Sequence, residues 1–337
     1  MNGEFEGWQR EDELRTALNK ALRDLDKAKR DKAELVEAVY RAARDAAEGM
    51  TLPKVVAPPR DGRKKAGEVA VVLLSDWQLA KVTPTYNSQV CEARIATLAK
   101  KVRELVAIQR ADHPVRELRL YCLGDLVEGE LVFPGQQHLI DASLYKQVMS
   151  DGPRILAGLV RTLAADFEKV RVVGVIGNHG ALGGRARRDY HPETNADAMM
   201  MEVARLVCAD LPNLEWEPCI APGERRWYAT DAVGQHRFFL FHGDQVKGGF
   251  GGFPWYGFGK KLLGWNLSVE QFNYAVGGHF HTPVRMYLNG LVYWGNGSTE
   301  SDNTYAQEGL AASGEPSQWL LFVHPEVGVT AEYLVKL

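Results

Sequence analysis

The chain has 337 residues, of which 25% are charged, and a formal net charge of −3. That length accommodates one large α/β domain with an appendage. The balanced charge gives no general support to polyanion binding, so any contact with nucleic acid must come from local basic patches. Four cysteines without C-x-x-C spacing predict reduced, mostly buried thiols, and a charged N-terminus without an apolar signal region predicts a cytoplasmic protein without membrane association.

The first predicted element is a helical coiled-coil segment over residues 1–49. Apolar side chains recur at alternating spacings of four and three between Leu14 and Ala46, interrupted only by Lys32. Because the other helix faces are polar, this heptad pattern favours a homo-oligomer formed through residues 11–48. A solvated helix lying on the following domain, or an arm that binds a partner, are the alternatives. Gly49 and Pro53 are expected to end the helix.

Residues 50–67 form a basic, proline-containing linker. Three prolines alternate with five basic side chains: Pro53, Pro58 and Pro59 with Lys54, Arg60, Arg63, Lys64 and Lys65. This composition predicts an extended segment, either a solvated tether or a contact to a phosphate backbone.

Residues 68–337 alternate apolar strand patterns with helical ones. Strands are predicted at 69–74, 118–123 and from 172, with helices at 92–111, 139–170 and 195–210. This order predicts a mostly parallel sheet with helices on its faces. From Trp227 onward, short strands at 237–241, 284–288, 291–294 and 318–323 predict a second, more antiparallel sheet packed on the first.

Five predicted strands end in polar side chains that commonly bind metals. In chain order these are Asp76 and Gln78, Asp125, Asn178 with His179, His242, and His279 with His281. In open α/β sheets, ligands bind at the carboxyl ends of strands. Asp-x-Gln and Gly-Asn-His also suit ordinary turns, but two imidazoles on one face of an extended segment are costly unless paired or metallated.

The motif order Asp-x-Gln, Gly-Asp-x-x-Glu, Gly-Asn-His, His and Gly-His-x-His resembles the calcineurin-like metallophosphoesterase superfamily over roughly residues 68–337. Within it, the chain is most similar to phage and bacterial phosphoesterases, and more distantly to SbcD-type DNA nuclease subunits. The resemblance implies a two-sheet β-sandwich flanked by helices.

The resemblance also implies two adjacent sites for divalent cations. Asp76, Gln78, Asp125 and His281 would form the first site, and Asn178, His242 and His279 would form the second, with Asp125 bridging them. Two cations about 3.5 to 4 Å apart clamp a phosphate and lower the pKa of a shared water. Two carboxylates against two dications leave a formal charge of +2, which suits a monoanionic phosphodiester, although further Lys or Arg side chains would admit a monoester.

The resemblance implies that His179 faces the substrate and stabilises the transition state or protonates the leaving oxygen. Glu128 stands where a carboxylate usually orients this histidine. Two positions depart from the pattern: Gln78 replaces a histidine, and Gly180 replaces an acidic residue. Amide oxygen suits Mn²⁺ or Mg²⁺, so we expect a manganese preference and weaker occupancy of the first site. Asp244 is either an acceptor that orients His242 or a turn residue.

Two loops are candidates for substrate binding. Residues 181–191 carry Arg185, Arg187 and Arg188, which either bind neighbouring phosphates or belong to a solvated loop. Residues 247–265 combine glycines, aromatic residues and Lys260 and Lys261, as a mobile flap that stacks on bases would. A dimer contact, a lid over a small substrate, or aromatic core residues at Phe250, Phe253 and Trp255 are the alternatives.

The sequence therefore predicts a manganese-dependent phosphodiesterase that acts on nucleic acid. A DNA nuclease is favoured over an RNA nuclease. A phosphatase or cyclic-nucleotide phosphodiesterase is the alternative of the same class, and a scaffold with a degenerate metal site is the alternative of a different class. The chain has no Walker motif, so any ATP-driven activity would need a separate ATPase partner.

Overall fold

The computed structural model describes residues 54–182, 192–219, 226–248, 252–303 and 314–337, with Arg41, Arg44, Asp45 and Glu308. The chain divides into two compact units, Met1–Asp45 and Ala46–Leu337. Apart from the three residues at positions 41, 44 and 45, the predicted coiled coil lies outside the described residues, as do Arg185, Arg187 and Arg188. Oligomerisation through residues 11–48 stays a prediction.

The first sheet has six strands in the order β11-β10-β1-β2-β3-β4. Its parallel part consists of β1 (Glu68–Leu74), β2 (Val115–Cys122), β3 (Lys169–Gly174) and β4 (Leu214–Trp216). Strands β10 (Ser317–His324) and β11 (Gly328–Lys336) extend it in antiparallel fashion beside β1. Three helices connect the parallel strands: α1 (Ser88–Arg110), α2 (Gly152–Ala164) and α3 (Ala196–Val207). The predicted alternation is confirmed in this half.

The second sheet has five strands in the order β5-β6-β7-β9-β8. These are β5 (Tyr228–Val233), β6 (His236–Phe241), β7 (Tyr274–Gly277), β8 (Val284–Leu288) and β9 (Leu291–Gly295). Its three inner strands, β6, β7 and β9, are parallel, and only the outer pairings are antiparallel. The sheet is therefore mixed: two of its four pairings are antiparallel, against two of five in the first sheet, which confirms the predicted second, more antiparallel sheet. The strands β6 and β7 are parallel because a helix lies between them, and a helical crossover joins parallel strands.

That helix, α4 (Trp255–Ser268), replaces the second half of the flap predicted for residues 247–265. Phe258, Leu262 and Trp265 recur at spacings of four and three, so they form one buried stripe against the second sheet. Phe253 is buried in the same cluster, whereas Trp255 is half exposed. Packing of these aromatic side chains outweighs the glycine content that suggested mobility.

Alternation along β6 shows how the layers are held together. Phe238 and Leu240 pack between the two sheets, whereas Phe239 and Phe241 point to the other side, toward α4. The order of layers is helices, first sheet, second sheet, helix. The predicted fold class, a two-sheet α/β sandwich flanked by helices, is confirmed.

Residues 54–67 have no regular secondary structure but contact the domain. Arg63 pairs with Asp61 at 2.7 Å and donates to the carbonyl of Arg110 at 2.8 Å, and Lys65 pairs with Asp112 at 2.8 Å. Two basic side chains of this segment, Arg63 and Lys65, therefore contact residues at the end of α1.

All four cysteines are unpaired. Cys91, Cys122 and Cys208 are buried, and Cys219 is partly buried. Burial raises the pKa of Cys91 to about 11 and that of Cys122 to about 12, so both are held as neutral thiols. Among the described residues, no helix is both long and apolar enough to span a membrane.

Candidate metal centre

The polar residues at the strand ends meet at one edge of the sandwich. Ligand atoms of Asp125, His242 and His279 all lie within 4.8 Å of one another. Nε2 of His242 is 3.0 Å from Oδ2 of Asp125 and 3.1 Å from Oδ1 of Asn178. Asp125 and Asn178 follow strands of the first sheet, and the two histidines follow strands of the second. The four residues proposed for the second site are thus adjacent.

Asp76, Gln78 and His281 form a second group beside them. Nε2 of His281 is 3.3 Å from Oδ1 of Asp76 and 3.2 Å from Nε2 of Gln78. Both carboxylate oxygens of Asp76 accept from the backbone N–H of His279 at 3.0 Å, which ties this group to the first. The structure therefore brings all seven predicted ligands into one continuous cluster.

Five of these seven residues have a left-handed backbone. Their φ angles are 52° at Asp76, 43° at Gln78, 52° at Asp125, 74° at His279 and 53° at His281. This conformation costs a non-glycine residue on the order of 1–3 kcal/mol, and such strain concentrates at functional sites. The strands end in sharp turns that direct these side chains to a common place, at a cost that packing alone does not explain.

Two glycines allow the turns to close over the carboxylates. A Cβ atom at Gly177 would lie 2.1 Å from Oδ1 of Asp125, and one at Gly278 would lie 2.4 Å from Oδ2 of Asp76. No larger residue fits at either position without moving a predicted ligand.

The cluster fits divalent cations. Nδ1 of His242 donates to the carbonyl of Leu123 at 2.8 Å, which leaves Nε2 facing the Asp125 carboxylate. Oδ2 of Asp125 is buried and accepts no hydrogen bond of regular geometry from the described residues. Although burial opposes it, the carboxylates of Asp125 and Asp76 raise the pKa of His242 to about 10. A proton is thus held where a cation would bind, and a cation would displace it.

The other two histidines differ in protonation. Burial and the neighbouring charge of His242 lower the pKa of His279 to about 3, so it stays a neutral nitrogen ligand. Burial opposes protonation of His281, but Glu300 and Asp76 raise its pKa to about 10. The oxygen and nitrogen donors together suit Mn²⁺, Zn²⁺ and similar ions.

His179 lies at the side of the cluster with a carboxylate behind it. Its Nδ1 is 3.1 Å from Oε2 of Glu128, and its backbone N–H donates to Oδ1 of Asp125 at 2.7 Å. Burial opposes protonation, but Asp125 and Glu128 raise the pKa of His179 to about 9. The pair that the resemblance implied is therefore in contact, and its role in catalysis stays a proposal.

Gln136, which the sequence did not single out, holds Glu128 in place. Its buried amide donates to the backbone carbonyl of Glu128 at 2.8 Å and to Oε1 at 3.0 Å. The second carboxylate oxygen is thereby directed to His179. A glutamine at the start of a three-residue 3₁₀ helix carries no sequence signal for such a role.

Asp197 is a second residue that the sequence did not indicate. Its carboxylate accepts from the backbone N–H groups of Asp125 at 2.9 Å and Gly177 at 2.8 Å, and also from those of Leu126 and Val127. It joins the turns after β2 and β3, which carry Asp125 and Asn178. An aspartate at the start of a helix is usually read as a capping residue, which concealed this function.

Glu300 and Lys81 complete the surroundings of His281. Oε1 of Glu300 is 2.6 Å from Nδ1 of His281, and Oε2 is 2.5 Å from Nζ of Lys81. Glu300 comes after strand β9, just as the predicted ligands come after their strands. This position in the sequence could have identified Glu300 as a candidate site residue. Lys81 follows Gln78 by three residues.

The remaining predicted residues lie elsewhere. Lys260 and Lys261 are exposed on α4. The orienting partner of His242 is the carbonyl of Leu123 rather than Asp244, whose carboxylate accepts from the side chain of Gln245.

No family model matches the chain, and no curated protein matches its sequence. Among solved structures it is similar to an archaeal phosphodiesterase, with 10% identity, a TM-score of 0.35, and coverage of 79% of this chain and 99% of the other. A predicted phosphoesterase from Streptococcus pneumoniae gives 13% identity, a TM-score of 0.32, and coverage of 80% and 99%. Vps29 from Entamoeba histolytica, in a complex with zinc, gives 13% identity, a TM-score of 0.36, and coverage of 79% of this chain and 98% of the other. Likeness at this level carries no argument about activity.

The fold and the motifs agree with the resemblance found in the sequence. Two facing sheets flanked by helices carry Asp-x-Gln, Gly-Asp-x-x-Glu, Gly-Asn-His, His and Gly-His-x-His at one edge, and this motif order resembles that of the calcineurin-like metallophosphoesterase superfamily. The more distant similarity to SbcD-type nuclease subunits stays a prediction.

Proposed function

We propose that this protein is a phosphodiesterase that hydrolyses nucleic acid and depends on two divalent cations. Manganese is the preferred cation, and DNA is the preferred substrate. The observation that carries the proposal is the convergence of Asp125, His242 and His279 within 4.8 Å, beside Asn178 and the group of Asp76, Gln78 and His281. A strained cluster of this kind favours a working hydrolase over a scaffold with a degenerate site.

When bound, two divalent cations supply the Lewis-acid charge that holds a phosphate ester and activates water. The protein's own groups do the rest. Asp125 would bridge the two groups of ligands, as the resemblance implies. His179, whose Nδ1 lies 3.1 Å from Oε2 of Glu128, is suited to give a proton to the leaving oxygen, and Glu128 keeps the ring oriented.

The charge of the surroundings favours a phosphodiester. Lys81 and Glu300 form an ion pair, and protonated His179 faces Glu128, so these four groups add no net charge. Asp76 and Asp125 against two dications leave a formal +2, which a hydroxide and one diester oxygen anion neutralise. A dianionic monoester would need further positive charge.

Nucleic acid as substrate is supported by the surface of α4. Trp255 is 48% exposed and Tyr256 is 85% exposed, and Lys260 and Lys261 follow them on the same helix. The ring of Phe253 joins this surface to the metal centre, since it lies 4.7 Å from Trp255 and 5.5 Å from Phe280, which stands between His279 and His281. Exposed aromatic rings beside ammonium groups suit stacked bases and a phosphate backbone.

The test is a cleavage panel with Mn²⁺. It compares linear, circular, single-stranded and double-stranded DNA, the corresponding RNA, a cyclic nucleotide and bis-p-nitrophenyl phosphate. We expect cleavage of DNA, loss of cleavage in Asp125→Ala, and a roughly 10²- to 10⁴-fold loss in His179→Ala. His138→Ala, which removes an exposed histidine, is the matched control and should retain activity.

Each contrary result has a defined meaning. Cleavage of small diesters with nucleic acids left intact would replace the nuclease with a cyclic-nucleotide phosphodiesterase or phosphatase. Manganese binding without hydrolysis of any substrate would favour a scaffold.

A further inference from the structure

Lys81 is held over the amide of Gln78. Its Nζ lies 2.6 Å from Oε1 of Gln78 and 2.5 Å from Oε2 of Glu300, and its side chain is only 15% exposed. The backbone N–H of Lys81 donates to the carbonyl of Gln78 at 3.0 Å, so a tight turn fixes the lysine beside the glutamine. Little solvent competes for the ammonium group in this position.

This contact occupies the one atom of Gln78 that binds cations. The amide oxygen accepts from Lys81, while the amide nitrogen faces Nε2 of His281 at 3.2 Å. A cation beside Asp76 and His281 must either displace the ammonium from this oxygen or bind without Gln78. In both cases the cation lies next to an ammonium group in a poorly solvated place, where the repulsion between like charges is only partly offset by Glu300.

Among the described residues, no lysine or arginine occupies a corresponding position at the neighbouring site. Asn178 presents its Oδ1 to Nε2 of His242 at 3.1 Å. Within the described part of the chain, the cationic side chains in ion-pair distance of Asp125 are His179 and His242, with no lysine or arginine among them. A cation at this site would not have to displace a fixed ammonium group.

We propose that Lys81 weakens the cation site formed by Asp76, Gln78, Asp125 and His281, so that the chain binds one divalent cation tightly and a second one weakly. Lys81 thereby sets the cation concentration at which the complete centre forms. The inference rests on the proposed function only in requiring that the cluster bind divalent cations.

The experiment is a titration of the metal-free full-length chain with Mn²⁺. Calorimetry measures the binding, and electron paramagnetic resonance detects the bound ions. We expect a second dissociation constant at least about tenfold above the first, a difference of about 1.4 kcal/mol. In Lys81→Met the second ion should bind about tenfold more tightly, while the first changes by less than about threefold. A signal from coupled ions should appear at lower Mn²⁺ concentration.

Two further variants separate charge from packing. Lys100→Met removes the same charge from an exposed position on α1 and should behave as the parent protein. Lys81→Gln, a second neutral replacement, should reproduce the effect of Lys81→Met, and serves as the test if the methionine variant does not fold.

The outcomes distinguish this inference from the proposed function. Equal affinities in the parent protein, or an unchanged second constant in both neutral variants, would overturn the role of Lys81 while leaving the nuclease proposal standing. Absence of any Mn²⁺ binding would overturn both.

Discussion

The orientation and the pKa of His179 depend on contacts between a few side-chain atoms. Its Nδ1 faces one oxygen of Glu128, and Gln136 holds the other oxygen at 3.0 Å. Because the carboxylate cannot turn away, its charge acts on the imidazole continuously and contributes to the pKa of about 9. In this way Gln136, which is not a predicted ligand, affects the protonation of the residue proposed to assist the leaving group.

Replacing Glu128 by Gln should lower the pKa of His179 from about 9 toward the ordinary value in the metal-free protein, because one of the two raising charges is lost. A raised histidine pKa adds stability that is complete below about 6.5 and disappears as the pH rises through about 9. The variant should therefore lose stability at neutral pH relative to the parent. A pH titration of the imidazole signals by NMR measures the shift.

Glu104→Gln, at an exposed site, is the control for this titration. An unchanged His179 pKa in Glu128→Gln would show that Glu128 does not act on the histidine electrostatically.

At the scale of elements, α4 decides how the second sheet is covered. The helix lays Phe258, Leu262 and Trp265 on the sheet, and leaves Lys260 and Lys261 exposed. Fully burying a leucine or phenylalanine side chain contributes about 1.5–3 kcal/mol, so this face stabilises the helix despite its three glycines. The segment predicted to be a mobile flap is thus in large part a fixed layer of the domain.

Leu262→Ala should lower the free energy of unfolding by about 2–5 kcal/mol, because Leu262 is 1% exposed in this packed layer. Leu267→Ala removes the same atoms from a residue that is 88% exposed on the same helix, and should change stability by less than about 0.5 kcal/mol. Urea unfolding followed by circular dichroism compares the two. Equal effects would mean that α4 is not packed as described.

At the scale of the whole molecule, the centre joins the two sheets. Asp76, Asp125 and Asn178 come from the first sheet, and His242, His279 and His281 from the second. A cation that binds residues from both layers stabilises the folded chain, because the unfolded chain cannot assemble the same ligands.

Saturation with Mn²⁺ at about 100 times its dissociation constant should therefore stabilise the protein by about 2.7 kcal/mol. For a domain of this size, that corresponds to a rise in Tm of about 5 to 10 °C. Differential scanning calorimetry with and without EDTA measures it. In the Asp125→Ala variant, manganese should raise the Tm much less. If manganese did not change the Tm of the parent protein, a metal centre that spans the sheets would be contradicted.

The sequence by itself determined the strands of the sandwich and the residues that follow them. Apolar runs ended by glycine and polar side chains are local patterns, and the spacing within each motif depends only on neighbouring residues. The likeness of the motif order to a known superfamily then implied which strand ends would meet. Asp76, Asp125, Asn178, His242, His279 and His281 were named on that basis.

Only the tertiary structure decided which residues support that centre. Asp197 accepts from the backbone of Asp125 across 72 positions, and Glu300 contacts His281 from the segment after β9. These contacts depend on where distant segments come to lie after the sheets have packed, and no local spacing encodes that position. Gln136 with Glu128, and Lys81 with Gln78, are close along the chain, but turns rather than a regular helix or strand bring them together, so no periodic pattern marks them. The left-handed turns at the ligands likewise leave no periodic pattern.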